Sequence, residues 1–158
     1  MEIVIIRPPL VYGPGVKGNF ERLISWLKKG YPLPLGATNN KRSFVSVLNL
    51  VDLIIRCIDH PKAANQVFLV SDGTDISTTE LLKRLGDALA TPAKLLPVPV
   101  WMLSSLCALL GKKEVVQRLC GTLQVDISKT CALLNWQPVI GVEDALAETA
   151  QYYLGAVE

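Results

Sequence analysis

The chain of 158 residues carries 16 lysines and arginines against 14 aspartates and glutamates, and with one neutral histidine its net charge is +2. Such a small excess excludes nucleic-acid binding through a broadly basic surface. Half of the residues are hydrophobic and 19% are charged, a composition that excludes a disordered chain. The length is that of one ordinary domain and provides enough residues to bury a core.

Four cysteines are spread along the chain without a C-x-x-C pair, and His60 is the one histidine that could join them. A metal site is therefore not expected. Each cysteine lies in an apolar stretch typical of a helix, which predicts small buried side chains in a reducing compartment. Since the N-terminus carries no recognisable secretory signal either, we expect a cytoplasmic protein. The cysteines are Cys57, Cys107, Cys120 and Cys131.

The longest uncharged run covers residues 95–111. Pro97 and Pro99 interrupt this run and leave about a dozen helical residues, too few for a membrane span of roughly 20. The run therefore predicts a buried helix, and no membrane partner is expected.

The first half of the chain predicts short strands alternating with helices. Glu2–Ile6 is apolar at nearly every position, which is typical of a strand covered on both faces in a parallel sheet, and a proline-glycine loop follows. Asn19–Lys29 has the apolar spacing of a helix, and residues 31–36 are extended because they contain two prolines. A strand over Arg42–Val47 leads to a helix that Asn49 caps and that ends near Asp59. This helix is apolar on almost all sides, so we expect it to be buried.

The second half predicts mostly helices. A strand over Gln66–Val70 precedes a capping box, Ser77-Thr78-Thr79-Glu80, whose helix ends before Pro92. Leu95–Val98 is a candidate short strand. The mixture predicts an α/β or α+β class. Further helices are predicted over residues 100–110, 114–119, 128–135 and 142–154.

Residues 13–18 read GPGVKG and match the glycine-rich pattern of dinucleotide-binding loops. We nevertheless predict a simple turn, because six residues separate these glycines from the strand and no acidic residue follows about 20 positions later. None of the tyrosines has a lysine four residues further on, the arrangement that lowers a phenol pKa in short-chain dehydrogenases. No catalytic residue is therefore predicted in this chain.

Three blocks of the sequence read IVIIRPPLVYGPGVKGNFERLISWLKKGYPLPLG, RSFVSVLNLVDLI and QVDISKTCALLNWQP. Together they resemble the C-terminal half of the NAD-dependent epimerase/dehydratases. These are extended short-chain dehydrogenase/reductases that act on nucleotide sugars, with the UDP-glucose 4-epimerase type as the familiar member. The resemblance implies the last parallel strands of a Rossmann-like sheet plus a small substrate-binding α/β lobe, as one unit over residues 1–158. The NAD-binding half, with its Tyr-x-x-x-Lys pair, would be missing.

The resemblance implies a substrate diphosphate site. Asn19, at a helix start, corresponds to an asparagine that meets the diphosphate, and Arg42 corresponds to an arginine that forks onto it. Arg118 lies near the position of a second phosphate-binding arginine. The alternative for Arg42, beside Lys41, is a solvated surface charge, and Arg118 has the same alternative.

The resemblance also implies contacts with the cofactor and the base. Pro9 and Val11 correspond to backbone that touches the nicotinamide of NAD, and Leu33 and Leu35 to the segment that lines the base pocket. Leu10 replaces an asparagine that contacts the sugar in many epimerases, so the sugar contact differs here.

Three functions remain open from the sequence. The first is the nucleotide-sugar-binding portion of an epimerase or dehydratase, with UDP-sugars the expected substrates and the isolated chain inactive. The second is a non-catalytic remnant that acts as a binding or interaction module, and the third is an NAD(P)-dependent reductase of the same superfamily. Asn19 with Arg42 argues against a reductase, since a neutral ketone needs neither. Association into a homo-oligomer through an exposed strand edge is also expected.

Overall fold

The computed structural model describes residues 2–109, 111 and 113–155, and their side chains except those of residues 19, 113, 115 and 118. It contains four strands, β1 (Val4–Arg7), β2 (Leu10–Tyr12), β3 (Phe44–Ser46) and β4 (Gln66–Leu69). Seven helices accompany them within the described ranges: α1 (Asn19–Lys28), α2 (Val47–Asp59), α3 (Thr78–Ala88), α4 (Val100–Leu109), α5 (Lys113–Cys120), α6 (Ser128–Leu134) and α7 (Val142–Gly155). A short 3₁₀ turn, Pro61–Ala63, joins α2 to β4.

The strands form two parallel pairs. β1 pairs with β4, with Ile6 opposite Phe68, and β2 pairs with β3, with Val11 opposite Val45. The sequence did not predict β2. Pro8 and Pro9 have no N–H to donate, so they end β1, but the chain resumes extended pairing at Leu10.

The β1–β4 pair is covered on one face only. Ile6 and Phe68 pack with α2 and α6 in the smaller of two hydrophobic clusters. On the other face, Ile5 is 43% exposed and Val67 and Leu69 are each 38% exposed. The prediction that the first strand is covered on both faces is therefore wrong for this chain.

The larger hydrophobic cluster lies among the helices. It joins α1, α3 and α7 around segment 33–35 and includes the predicted stripe of the last helix, with Val142, Leu146 and Ala150 buried and Tyr153 packed beside them. The predicted cap of α3 is confirmed, since Ser77 Oγ accepts the Glu80 N–H at 3.0 Å. The candidate strand at 95–98 is reduced to a single bridge between Leu95 and Leu33.

Helix α2 departs from the sequence prediction in two ways. It begins at Val47, three residues earlier than a cap at Asn49 predicts, and its cap is Ser46, whose Oγ accepts the Asn49 N–H at 3.1 Å. It is also not buried on all sides, since Ile55 is 56% and Ile58 75% exposed. The buried side consists of Asn49, Leu53 and Cys57.

Helix α4 was expected to be buried, and this prediction is wrong as well. Among its side chains only Leu103 is buried, whereas Trp101 and Leu106 are 69% and 58% exposed.

Of the cysteines, Cys57 is buried as predicted and the other three are half-buried. No helix in the described part of the chain combines the length and the apolar character that crossing a bilayer requires.

Candidate functional site

An open groove of about 580 Å³ lies beside the predicted diphosphate residue Arg42. One wall comes from α5 and the other from the segment that follows it. The lining residues are Arg42, Glu114, Gln117, Gly121, Thr122 and Leu123.

Backbone hydrogen bonds on both sides fix the position of Arg42. On one side its N–H donates to the Ile76 carbonyl and its carbonyl accepts the Ile76 N–H, both at 3.1 Å. On the other, the Leu123 N–H donates to the Lys41 carbonyl at 2.9 Å and the Ser43 N–H to the Leu123 carbonyl at 2.8 Å. Arg42 is thus held in the middle of a three-segment ladder, which limits the motion of its backbone.

The side chain of Asn40 ties the groove together. Its Nδ2 donates to the carbonyls of Leu119 at 3.2 Å and Gly121 at 2.9 Å, and its Oδ1 accepts the Thr78 N–H at 3.0 Å. The Gly121 carbonyl also accepts a hydrogen bond from Arg42 Nη1 at 3.1 Å. The end of α5 and the arginine therefore share one fixed carbonyl.

Arg42 is only 9% exposed, so the alternative interpretation of a solvated surface charge does not hold. Burial lowers the pKa of Arg42, and the nearby Cys120 opposes that effect. The ordinary arginine pKa is so high that the group stays protonated at neutral pH. The groove therefore presents a partly desolvated positive charge, with the carboxylate of Glu114 also in its lining.

The other predicted site residues lie in several places. Arg118 belongs to α5, the helix that lines the groove, and Asn19 begins α1, but the side chains of both lie outside the described residues. Gln117, which the sequence analysis missed, lines the groove. An amide on a short helix carries no sequence signal of its own, so only the fold could reveal it.

Leu33 and Leu35 pack in the core. Their side chains are 5% and 7% exposed, within the larger hydrophobic cluster. The Leu33 N–H donates to the Lys94 carbonyl at 2.8 Å, and the Leu35 carbonyl accepts from Thr79 Oγ1 at 2.5 Å. These side chains are therefore not part of the groove lining.

Pro9 directly precedes β2 and Val11 lies within it, and both residues are half-buried. Val11 pairs with Val45 in β3, the strand that begins two residues after Arg42. The pairing of β2 with β3 therefore places the predicted cofactor segment beside a strand that begins two residues after Arg42.

A buried polar network that the sequence did not reveal crosses both strand pairs. Asp72, just after β4, accepts from the Tyr12 hydroxyl at 2.7 Å, the Ser46 N–H at 2.8 Å and Asn49 Nδ2 at 2.7 Å. Burial first, and the Asp72 charge second, raise the pKa of Tyr12. The phenol therefore stays protonated and supports the fold rather than proton transfer. Its partners are 60 positions apart, so no local motif marks it.

The glycines of residues 13–18 are explained by packing and turn geometry. A Cβ on Gly13 would lie 2.5 Å from Val47 Cγ1, and Gly15 and Gly18 have φ values of +72° and +96°. They bring the chain past the start of α2 into α1.

Within the described ranges, no group of histidine, cysteine and acidic side chains is arranged to hold a metal ion.

Comparison with known proteins places this geometry in context. Residues 1–71 match the model of the NAD dependent epimerase/dehydratase family. The chain is 57% identical over 157 residues to a UDP-glucose 4-epimerase of Vibrio cholerae, covering 99% of this chain and 48% of that protein. It is 28% identical over 139 residues to N-acetyl-alpha-D-glucosaminyl-diphospho-ditrans,octacis-undecaprenol 4-epimerase of Escherichia coli O157:H7, covering 80% of this chain and 42% of that protein.

The fold also matches solved structures of proteins that are named epimerases. A UDP-glucuronic acid 4-epimerase from Bacillus cereus, solved in complex with NAD, superposes with a TM-score of 0.70 at 19% identity, over 98% of this chain and 44% of that one. The predicted class, α/β with the parallel strands of a Rossmann-like fold, is confirmed. The resemblance to the NAD dependent epimerase/dehydratase family that was read from the sequence is confirmed too, and the chain spans about half the length of the curated relatives it matches.

Proposed function

We propose that this chain is the nucleotide-sugar-binding portion of an NAD-dependent sugar epimerase, and that it takes UDP-sugars. The observation that carries the proposal is the buried guanidinium of Arg42 in the wall of an open groove. The name of the Vibrio cholerae relative, UDP-glucose 4-epimerase, supports the substrate class.

A diphosphate suits this groove for physical reasons. A guanidinium can give two parallel charge-assisted hydrogen bonds to phosphate oxygens, and partial burial strengthens them because the local dielectric constant is low. The Asn40 clamp holds the Gly121 carbonyl and the end of α5 in place before the ligand arrives. Little ordering is then needed on binding, which favours affinity.

Further contacts belong to the same proposal. Arg118 on α5 and Asn19 at the start of α1 would add donors to the diphosphate. Because the side chains of Leu33 and Leu35 are in the core, the base would lie against the main chain of that segment. We also expect a cytoplasmic location, and self-association through the uncovered edge of β1.

NAD is the cofactor of the family, and the Bacillus cereus neighbour contains it. In this chain Pro9 and Val11 would contribute the backbone contact to the nicotinamide, from the segment of β2, which pairs with β3. The glycines of residues 13–18 form the turn into α1, and we assign them no phosphate contact. Because the chain contains no Tyr-x-x-x-Lys pair, we assign no reaction step to it.

The binding proposal is tested by titrating the chain with UDP-glucose in a calorimeter. Arg42→Gln should weaken binding by roughly ten- to a hundredfold, since a hydrogen bond to a charged group contributes about 1.5–3 kcal/mol. Arg56→Gln is the matched control. That arginine donates from Nε to the Leu134 carbonyl at 2.9 Å, in a different groove, so its loss should leave affinity unchanged.

Two results would contradict the proposal. If both arginine variants lost affinity equally, the effect would be on the fold, which melting temperatures would show directly. If the wild-type chain failed to bind UDP-glucose, UDP and UMP at millimolar concentration, the interaction-module function would replace it.

The chain alone should also show no sugar interconversion with NAD. It contains no Tyr-x-x-x-Lys pair, the residues that the resemblance implies for proton transfer. Incubation with NAD and a panel of UDP-sugars, followed by separation of the sugars, checks this expectation, and turnover by the purified chain would overturn it.

A further inference from the structure

The exposed side of α4 is an apolar face that no part of the described chain covers. Leu109 is 85%, Leu106 58% and Met102 48% exposed, and their spacing of four and three residues places them on one side of the helix. The opposite side, with Val100, Leu103 and Cys107, packs into the larger hydrophobic cluster.

The composition of α4 is unusual for a helix that faces water. All ten of its residues, VWMLSSLCAL, are uncharged. Trp101 is 69% exposed in the first turn, where an indole ring combines a large apolar surface with one N–H donor. Exposed tryptophan is typical of segments that lie between a hydrocarbon layer and water.

The sequence around α4 is basic. Residues 89–120 contain four basic residues and one acidic residue, a net charge of +3, whereas the other 126 residues sum to −1. Lys94 is exposed, and its Nζ lies beside Gly30, which directly follows Lys28 and Lys29. Basic residues therefore flank the apolar helix in the sequence, before and after it, a combination that anionic lipid attracts.

The other helix with an exposed apolar surface, α2, lacks this charge. On α2, Ile55 and Ile58 are exposed to a similar degree, but the helix also carries Asp52 and Asp59 against a single basic residue, Arg56. An anionic surface would be repelled there or bound weakly. The two surfaces thus have comparable hydrophobicity and opposite charge.

From these observations we propose that α4 docks the chain on the surface of an anionic lipid bilayer. Ten residues of helix extend about 15 Å, half the thickness of a hydrocarbon core, so the helix lies in the plane of the interface and does not cross it. Trp101, Met102, Leu106 and Leu109 enter the headgroup region, while Lys94 stays at the anionic surface. This docking is independent of sugar binding in the Arg42 groove, and it goes beyond the sequence analysis, which expected no membrane partner.

The test is flotation of the whole chain with phosphatidylglycerol-containing vesicles and with pure phosphatidylcholine vesicles. The double variant Leu106→Ser, Leu109→Ser should reduce partitioning into the anionic vesicles by roughly tenfold or more, because two large apolar side chains no longer insert. The matched control is Ile55→Ser, Ile58→Ser, which should partition like wild type. Lys94→Gln should reduce binding roughly fivefold, and raised salt should weaken binding further.

A second measurement identifies the inserted face. Brominated lipid should quench tryptophan fluorescence in the wild-type chain, and Trp101→Phe should remove the largest part of that quenching. Unchanged melting temperatures would show that the exposed substitutions leave the fold intact.

Three results would overturn the proposal: no flotation of the wild-type chain with anionic vesicles, equal loss of binding in the α4 and α2 variants, or quenching that survives Trp101→Phe. Light scattering without lipid tests the alternative that a second copy of the chain binds this face. If the α4 variant converted a dimer to a monomer while vesicle binding stayed unchanged, the face would be an interface between two copies.

Discussion

Arg42 shows how a residue can be identified from the sequence while its environment is not. The resemblance selected it as a phosphate ligand, with a solvated surface charge as the alternative. In the structure it is almost fully buried and bonds to the Gly121 carbonyl. Removing it should therefore also lower stability, by about 0.5–1.5 kcal/mol, because the half-buried Gly121 carbonyl loses one of its two hydrogen bonds and keeps the one from Asn40. Chemical denaturation of Arg42→Gln measures that cost separately from affinity.

Asn49 should be among the most sensitive positions in the chain. Fully buried, it donates to Asp72 and to the Ile140 carbonyl, and it accepts the N–H groups of Val139 and Ile140. Asn49→Ala leaves several of these groups unpaired, so we expect a loss of about 3–5 kcal/mol in the free energy of unfolding. Tyr12→Phe removes one bond to the same carboxylate and should cost about 1.5–3 kcal/mol. Equal losses in urea titrations would contradict this ranking.

Cys57 should be the slowest cysteine to react. Its side chain is buried, and burial raises the pKa of its thiol, so less of the reactive thiolate exists at neutral pH. Iodoacetamide labelling followed by peptide mass mapping should modify the half-buried Cys107 well before Cys57. Equal rates at the two sites would mean that α2 opens readily.

At the scale of elements, helix ends are where the sequence and the structure agree or disagree most clearly. The cap at Ser77 was predicted correctly because the accepting hydroxyl and the donating Glu80 N–H are three residues apart. The start of α2 was not, because Ser46 is also the last residue of β3 and a strand-to-helix junction has two candidate caps. β2 was missed for a related reason: its partner β3 lies more than 30 residues away and no turn links them.

The cap of α3 gives a clean test of a local interaction. Ser77→Ala should lower stability by about 1 kcal/mol, since the Glu80 N–H loses its acceptor. Ser105→Ala, at an exposed position within α4, is the control and should change stability by less than about 0.5 kcal/mol. Thermal unfolding of both variants decides it, and equal effects would show that the cap contributes nothing.

At the scale of the whole molecule, the sequence predicted the two central facts, a parallel strand pair and a lobe of packed helices. It did not predict how much of them would be uncovered. The apolar sequences of α2 and α4 predicted that both helices are buried. Burial, however, depends on which other elements pack against a helix, and the residue pattern of one helix does not contain that information. The candidate site was predicted at Arg42 and missed at Gln117 and Asn40, whose roles exist only through long-range contacts.

Self-association should follow from the uncovered strand pair. Among the described residues β1 has β4 as its one ladder neighbour, and Ile3 and Ile5 beside it are 50% and 43% exposed. A second copy can pair there, edge to edge across a two-fold axis. Light scattering over a dilution series should show a dimer that Ile5→Lys converts to a monomer, while Leu109→Ser leaves it unchanged. A sharp monomer mass for the wild type at tens of micromolar would refute this expectation.

The uncovered face of β1 and β4 also bears on how long the chain survives in a cell. Chaperones and proteases act on exposed apolar strands, because such strands are the common feature of incompletely folded proteins. A chain that folds correctly but leaves Ile5, Val67 and Leu69 in water therefore presents the signal of a misfolded one. We therefore expect its cellular lifetime to depend on how quickly that face is covered, as well as on its free energy of unfolding.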